Sequence, residues 1–155
     1  MPNINSSEFS NALDIALKKA VDTTNSVARE TITSLMTTII DEHPLDTTDP
    51  DDVVSKGDWI AAIGHEPSGI SRNDPSGEQG KSQITSVLAS WKATDSSGIN
   101  IGNDKKQTIK LEYGLYKHNP SSGRTTAAGF STQARDGFIR KNLMRVEYFI
   151  PANRG

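Results

Sequence analysis

Residues 7–42 read SEFSNALDIALKKAVDTTNSVARETITSLMTTIIDE, and the fold turns on how this stretch is divided. Apolar residues recur at Phe9, Leu13, Ala16, Leu17, Ala20, Val21, Val27, Ala28, Ile32, Leu35, Met36, Ile39 and Ile40. That spacing follows one drifting face of an α-helix. Asn5, Ser6 and Ser7 are all suitable N-caps, and Glu8 can close a capping box with Asn5. Pro44 sets the end. Unbroken, some 35 residues reach ~50 Å, longer than a small domain is wide. The weakly helical run Thr23-Thr24-Asn25-Ser26 leaves one alternative, two shorter helices folded back on each other.

Downstream the elements are shorter. An acidic connector, residues 43–52, holds a cluster of aspartates. No frame through it supplies both the glycine and the glutamate of a calcium-binding loop, so it reads as a solvated turn. Trp59 to Ile63 reads as a strand, with Trp59, Ala61 and Ile63 on one face and Ile60 and Ala62 on the other. Residues 65–80 look too polar to pack and are expected to be a mobile loop. A helix from about Lys81 to Ala93 carries Ile84, Val87, Leu88 and Trp91 on one face, and a strand follows at Ile99 to Ile101. Residues 108–114 suggest a short helix stopped by Gly114. A second loop, 117–132, precedes a final helix from Ala134 to Phe149, whose apolar face is Phe138, Ile139, Leu143, Val146 and Ile150. The expected architecture is one domain over residues 1–155, of the α+β class: a long N-terminal helix and two further helices packed on a small, mainly antiparallel sheet.

Composition narrows the chemistry. Hydrophobic residues make up 34%, below the ordinary globular share of about 45–50% counted with glycine, which implies a modest core under long polar loops. The chain has no cysteine, so disulfides, thiol catalysis and cysteine-based zinc sites are excluded. No apolar run approaches the ~18 residues of a membrane span, and residues 1–10 lack the pattern of a signal peptide. Both point to assembly in a cytoplasm. The net charge of −2 hides an asymmetry: residues 1–104 carry 7 Lys+Arg and 16 Asp+Glu, a net −9, whereas residues 105–155 carry 10 and 3, a net +7. Opposite charges of this kind can meet within one fold or between copies of an assembly.

Catalytic patterns are missing. Gly80-Lys81-Ser82 has the tail of a phosphate-binding loop, but Pro75 stands where its first glycine belongs and no apolar strand leads in. His43, His65 and His118 have no metal-ligand spacing and are expected to be solvated. Serines and aspartates are numerous, yet no nucleophile elbow accompanies them. No cofactor, metal or enzymatic activity is expected. The last helix presents Arg135, Arg140, Lys141 and Arg145, a basic face without the interleaved aromatics that stack on bases.

Four motifs stand in order along the chain: Pro44-Leu45-Asp46-Thr47-Thr48, the Gly57–Gly64 stretch around Trp59, Leu111-Glu112-Tyr113-Gly114, and Gln133-Ala134-Arg135-Asp136-Gly137-Phe138-Ile139-Arg140. Together, over about Glu8 to Phe149, they resemble the tail-completion family of neck proteins of long-tailed bacteriophages, the minor tail protein Z type. Thr48 departs from that family's usual glycine and Arg135 from its usual proline. The resemblance implies a structural virion protein at the head–tail junction or head-proximal end of the tail, assembled in the host cytoplasm. It implies a homo-oligomeric ring, a hexamer or dodecamer, that completes the tail and joins it to the head. Partners would be adjacent neck, connector, terminator or tail-tube proteins, with no membrane. On this reading Arg135, Arg140, Lys141 and Arg145 are interface residues, and contact with packaged DNA stays open. A tail terminator or head-side connector ring is the alternative within the same particle. A soluble nucleic-acid-binding or regulatory module is the alternative from another class.

Overall fold

In the computed structural model the described residues are 6–45, 55–105, 108, 112 and 137–152. Helix α1 spans Ser6–Glu42 as one continuous element of 37 residues, about 55 Å at the α-helical rise. The two-helix alternative is therefore excluded. The polar run that suggested it is accommodated because its side chains find partners. Thr24 Oγ donates to the Ala20 carbonyl at 2.9 Å, and Ser26 Oγ reaches Glu30 at 3.0 Å. Buried Asn25 accepts from the Thr94 backbone N–H at 3.2 Å. Asn25 also marks where α1 meets the rest of the domain, since every residue from Ser7 to Thr24 is exposed.

Strand β1 (Ile60–Ile63) pairs antiparallel with β2 (Ile99–Gly102), in the register Ile60 to Gly102 and Ile63 to Ile99. Trp59 sits just ahead of the strand, at the end of a 3-10 turn over Lys56–Asp58. A two-stranded ribbon is marginal by itself. Helix α2 (Glu78–Ser90) supports this one, burying Ile84 and Leu88. Its Gln83 closes the outer edge of β1: the side-chain amide accepts from the Ala61 N–H at 2.8 Å and donates to the Ala61 carbonyl at 2.9 Å. One glutamine thus occupies the place of a third strand and blunts an edge that could pair with another chain.

The core forms where the C-terminal half of α1 crosses α2 and β1. Leu35, Met36, Ile39, Ile40, Trp59, Ala61, Ile84, Leu88 and Phe138 pack together there. The fold is α+β, as expected, with a long N-terminal helix, further helices and a small antiparallel sheet.

Three expectations need correction. Residues 65–80 are not too polar to pack. Arg72 donates to the Gly57 and Trp59 carbonyls at 2.7 and 3.1 Å, and its backbone N–H donates to the buried Asp58 carboxylate at 2.6 Å. Helix α2 also begins and ends earlier than the apolar spacing indicated. Its start is set by Asp74, whose carboxylate accepts from the Ser76 and Gln79 backbone N–H groups at 3.0 and 2.9 Å. Gly77 supplies the left-handed φ of 79° between cap and helix, and a Cβ there would collide with Ile40. Its end comes at Trp91, which leaves the helix for extended backbone.

The expected final helix from Ala134 to Phe149 is not continuous. Within the described residues 137–152 it is one turn, α3 (Arg140–Leu143), followed by a 3-10 turn over Val146–Phe149. Gly137 at φ 74° lies outside helical space and blocks propagation from upstream. Of the expected apolar face, Phe138 is buried and Ile139 packs against the core, whereas Leu143, Val146 and Ile150 are exposed. Leu143→Ala is accordingly expected to change the stability of the isolated subunit by no more than ~0.5 kcal/mol. A urea titration checks this; a loss of several kcal/mol would place Leu143 in a core after all.

Candidate functional site

The motif residues converge on two buried polar arrangements. The first is at the C-terminal end of α1. His43 is 2% exposed and its ring lies 4.7 Å from that of Phe138 and edge-on to Trp59. Trp59 Nε1 donates to His43 Nδ1 at 2.9 Å. An indole N–H can only donate, so Nδ1 is the acceptor and the proton sits on Nε2. Nε2 then donates to Ser55 Oγ, also 2.9 Å away. Burial, helped by the charge of Lys56, lowers the His43 pKa from 6.5 to about 3.

A serine hydrogen-bonded to a histidine invites a hydrolase reading, and the geometry rejects it for this pair. A Ser–His base needs its serine-facing nitrogen unprotonated and its other nitrogen held by an acceptor. Here the serine-facing nitrogen holds the proton, the other faces a donor, and both side chains are buried. An imidazole with so low a pKa is also a poor base near neutrality. The arrangement is a neutral strut joining α1, the 3-10 turn and the final segment. It corrects the expectation that His43 is solvated; His65 is exposed, and His118 lies outside the described residues.

The second arrangement is a carboxylate cradle. Glu112 Oε2 accepts from the backbone N–H groups of Phe138 and Ile139 at 2.7 and 2.9 Å. Oε1 accepts from the Arg140 backbone N–H and from its Nε, both at 2.9 Å. Burial alone would raise the Glu112 pKa, but these donors outweigh it and hold the carboxyl below its ordinary value. The cradle requires glycine at position 137, where a Cβ would lie 2.7 Å from Glu112 Oε1. Thus Glu112 of one motif caps the backbone N–H groups of Phe138, Ile139 and Arg140 of another.

The remaining site residues fall as follows. Pro44 is half-buried and Leu45 exposed. Asp46, Thr47, Leu111, Tyr113, Gly114, Gln133, Ala134 and Arg135 lie outside the described residues. Of the basic face, Arg140 is paired with Glu112, and Lys141 forms a 2.8 Å ion pair with Glu42. Arg145 is exposed. Asn142 is buried and bridges the Phe138 carbonyl and the Glu42 carboxylate at 2.8 and 2.7 Å. Sequence reading missed Asn142, Ser55, Asp58 and Asp74, whose polarity suggested solvent.

No cluster of three or more histidine or acidic side chains suited to a metal occurs among the described residues. No described helix is long and apolar enough to cross a membrane. A groove of about 580 Å³ among the described residues is open and lined mainly by serine and glutamine side chains of α2 with Arg72 and Glu78. The prominent surface features are instead apolar. Phe9, Leu13, Ile15, Leu17 and Val21 are exposed on α1, and Leu143, Met144, Val146, Tyr148 and Ile150 on the final segment. Comparison with family models, with curated proteins and with solved structures finds no match to this chain.

Proposed function

We propose that this chain is a structural subunit without enzymatic activity, forming a homo-oligomeric ring at the neck of a long-tailed bacteriophage, where it completes the tail and joins it to the head. The observation that carries the reading is the overhang of α1. Some 27 Å of helix, at ~1.5 Å per residue, extends from the domain with every residue exposed and five large apolar side chains in solvent. Four of them, Phe9, Leu13, Leu17 and Val21, follow at four-residue steps along one side of the helix, and contiguous apolar surface of this kind is characteristic of sites for protein partners. The motif residues support the reading in a different way. Trp59, Glu112, Gly137 and Phe138 all hold the architecture together, which suits a family whose signature is structural.

Deletion of the gene is the test. Filled heads and complete tails are expected to accumulate unjoined, and supplying the protein should restore joining. Normal joining in its absence would refute the neck assignment.

A further inference from the structure

Residues 137–150 are held to the domain in a different way from its other parts. Among their apolar side chains Phe138 is fully buried, Ile139 and Phe149 pack against the core in part, and Leu143, Met144, Val146, Tyr148 and Ile150 face solvent. The segment adds no strand to the ribbon; its backbone closes one α-helical turn and one 3-10 turn on itself. On α1 it binds Glu42, which accepts from Lys141 Nζ at 2.8 Å and from Asn142 Nδ2 at 2.7 Å. Glu42 is exposed, and ion pairs open to water hold weakly. By contrast α1, α2 and β1 bury apolar side chains against one another where they cross, Ile39, Ile40, Ile84 and Leu88 among them. A segment with so few buried apolar contacts opens at a lower free energy than the whole domain.

Phe138 also covers a ring that has no room for a second proton. His43 Nε2 carries the proton donated to Ser55, so a second one must go on Nδ1, where the Trp59 N–H already points. Ser55 and Trp59 face the ring from the turn and Phe138 from the final segment, and the charge that acts on it is that of Lys56, which opposes protonation. The acids of the adjoining elements are paired with other cations: Asp41 with Lys81, Glu42 with Lys141, Asp58 with Lys105 and Glu112 with Arg140. Trp59 leads into a strand held by β2 and Gln83, whereas Phe138 belongs to the weakly held segment. Phe138 is therefore the side from which water can reach the ring.

We propose that residues 137–150 form a latch that lifts off as a unit while α1, α2 and the ribbon stay folded, and that acid opens it by protonating the ring that Phe138 leaves bare. The latch goes beyond the ring reading above and does not depend on it. With Phe138 gone the His43 ring can turn to water and take a proton near its ordinary 6.5, rather than at about 3. The open form then binds one proton more than the closed form, so it gains on the closed form as pH falls below 6.5. Between pH 7 and pH 5 the opening constant rises about 25-fold. Glu42, held below its ordinary value by Lys141 and Asn142, adds to the effect only below about 4.5. Loss of the whole fold in acid is a separate event, because the latch opens while the crossing of α1, α2 and β1 is still packed.

Hydrogen exchange of the full chain tests this, read by mass spectrometry and corrected for the intrinsic rate at each pH. Amides 138–145 are expected to open at least roughly tenfold more often than those of residues 32–40, at pH 7 and at pH 5 alike. Their opening should show the rise with acid given above, and His43→Gln should abolish that rise. Glu42→Ala should speed amides 138–145 about fivefold at pH 7 and leave residues 32–40 unchanged. Equal protection of the two sets in the wild-type chain would overturn the latch, because it marks one cooperative unit. Faster opening of 138–145 that does not change between pH 7 and pH 5 would overturn the control by acid. Glu42→Ala speeding both sets to the same extent would overturn the separate opening of the segment.

Discussion

Glu112→Ala is expected to destabilise the subunit by about 3–5 kcal/mol, the range for removing one side of a buried charged arrangement. The wild-type carboxylate is 1% exposed and satisfies three consecutive backbone N–H groups together with the Arg140 guanidinium. Hydrogen bonds to a charged group contribute about 1.5–3 kcal/mol each, and buried donors left without a partner add a further penalty. Glu112→Gln keeps one acceptor oxygen and should lose roughly half as much. Gly137→Ala should be comparably damaging, because φ 74° disfavours a side chain and the new methyl would press on the carboxylate. A domain of this kind holds only about 5–15 kcal/mol in total, so urea midpoints will resolve all three. If Glu112→Ala unfolds within 1 kcal/mol of wild type, the carboxylate is not the cap described.

Acid should weaken the fold well above the pH at which carboxylates titrate. Folded His43 stays neutral down to about pH 3, whereas in the unfolded chain it takes a proton near its ordinary 6.5. Between those values the unfolded state holds the extra proton, so stability falls as pH is lowered, by about 1.4 kcal/mol per unit. Above pH 6.5 the effect vanishes. Glu112, Glu42 and Asp74 are held below their ordinary values and act in the same direction, but only below about 4.5, their upper unfolded value. Among the described residues the window from pH 6.5 to 5 therefore belongs to His43, with an expected loss of about 2 kcal/mol across it. Urea denaturation at pH 7, 6 and 5 measures it, and His43→Gln should flatten the slope. An unchanged slope in that variant would mean another group carries the proton.

Much of the framework was legible because helical periodicity is a strong signal when repeated. The stripe from Phe9 to Ile40 gave α1 to within a residue or two, and Ile84, Val87 and Leu88 gave the inward face of α2. The boundaries of α2 were not legible, because capping decided them: Asp74 and Gly77 start the helix ahead of its first apolar residue. The final segment misled for a related reason. Phe138, Ile139, Leu143 and Val146 have helical spacing, but the left-handed Gly137 and the Glu112 cradle replace a long helix with short turns. Apolar spacing cannot tell a face that enters the core from one that stays exposed, as Leu143, Val146 and Ile150 do. His43 could have been found. It follows Met36, Ile39 and Ile40 at the next helical step, and that stripe predicts burial. The cradle could not, since nothing local connects Glu112 with residues 26 to 28 positions downstream.

The central claim is tested most directly by an electron-microscopy map of the neck in intact virions. The account predicts a closed ring of this chain at the head–tail junction, hexameric or dodecameric, with the exposed face of α1 covered by a protein partner. A complete virion whose neck density accommodates no copy of the chain would contradict it.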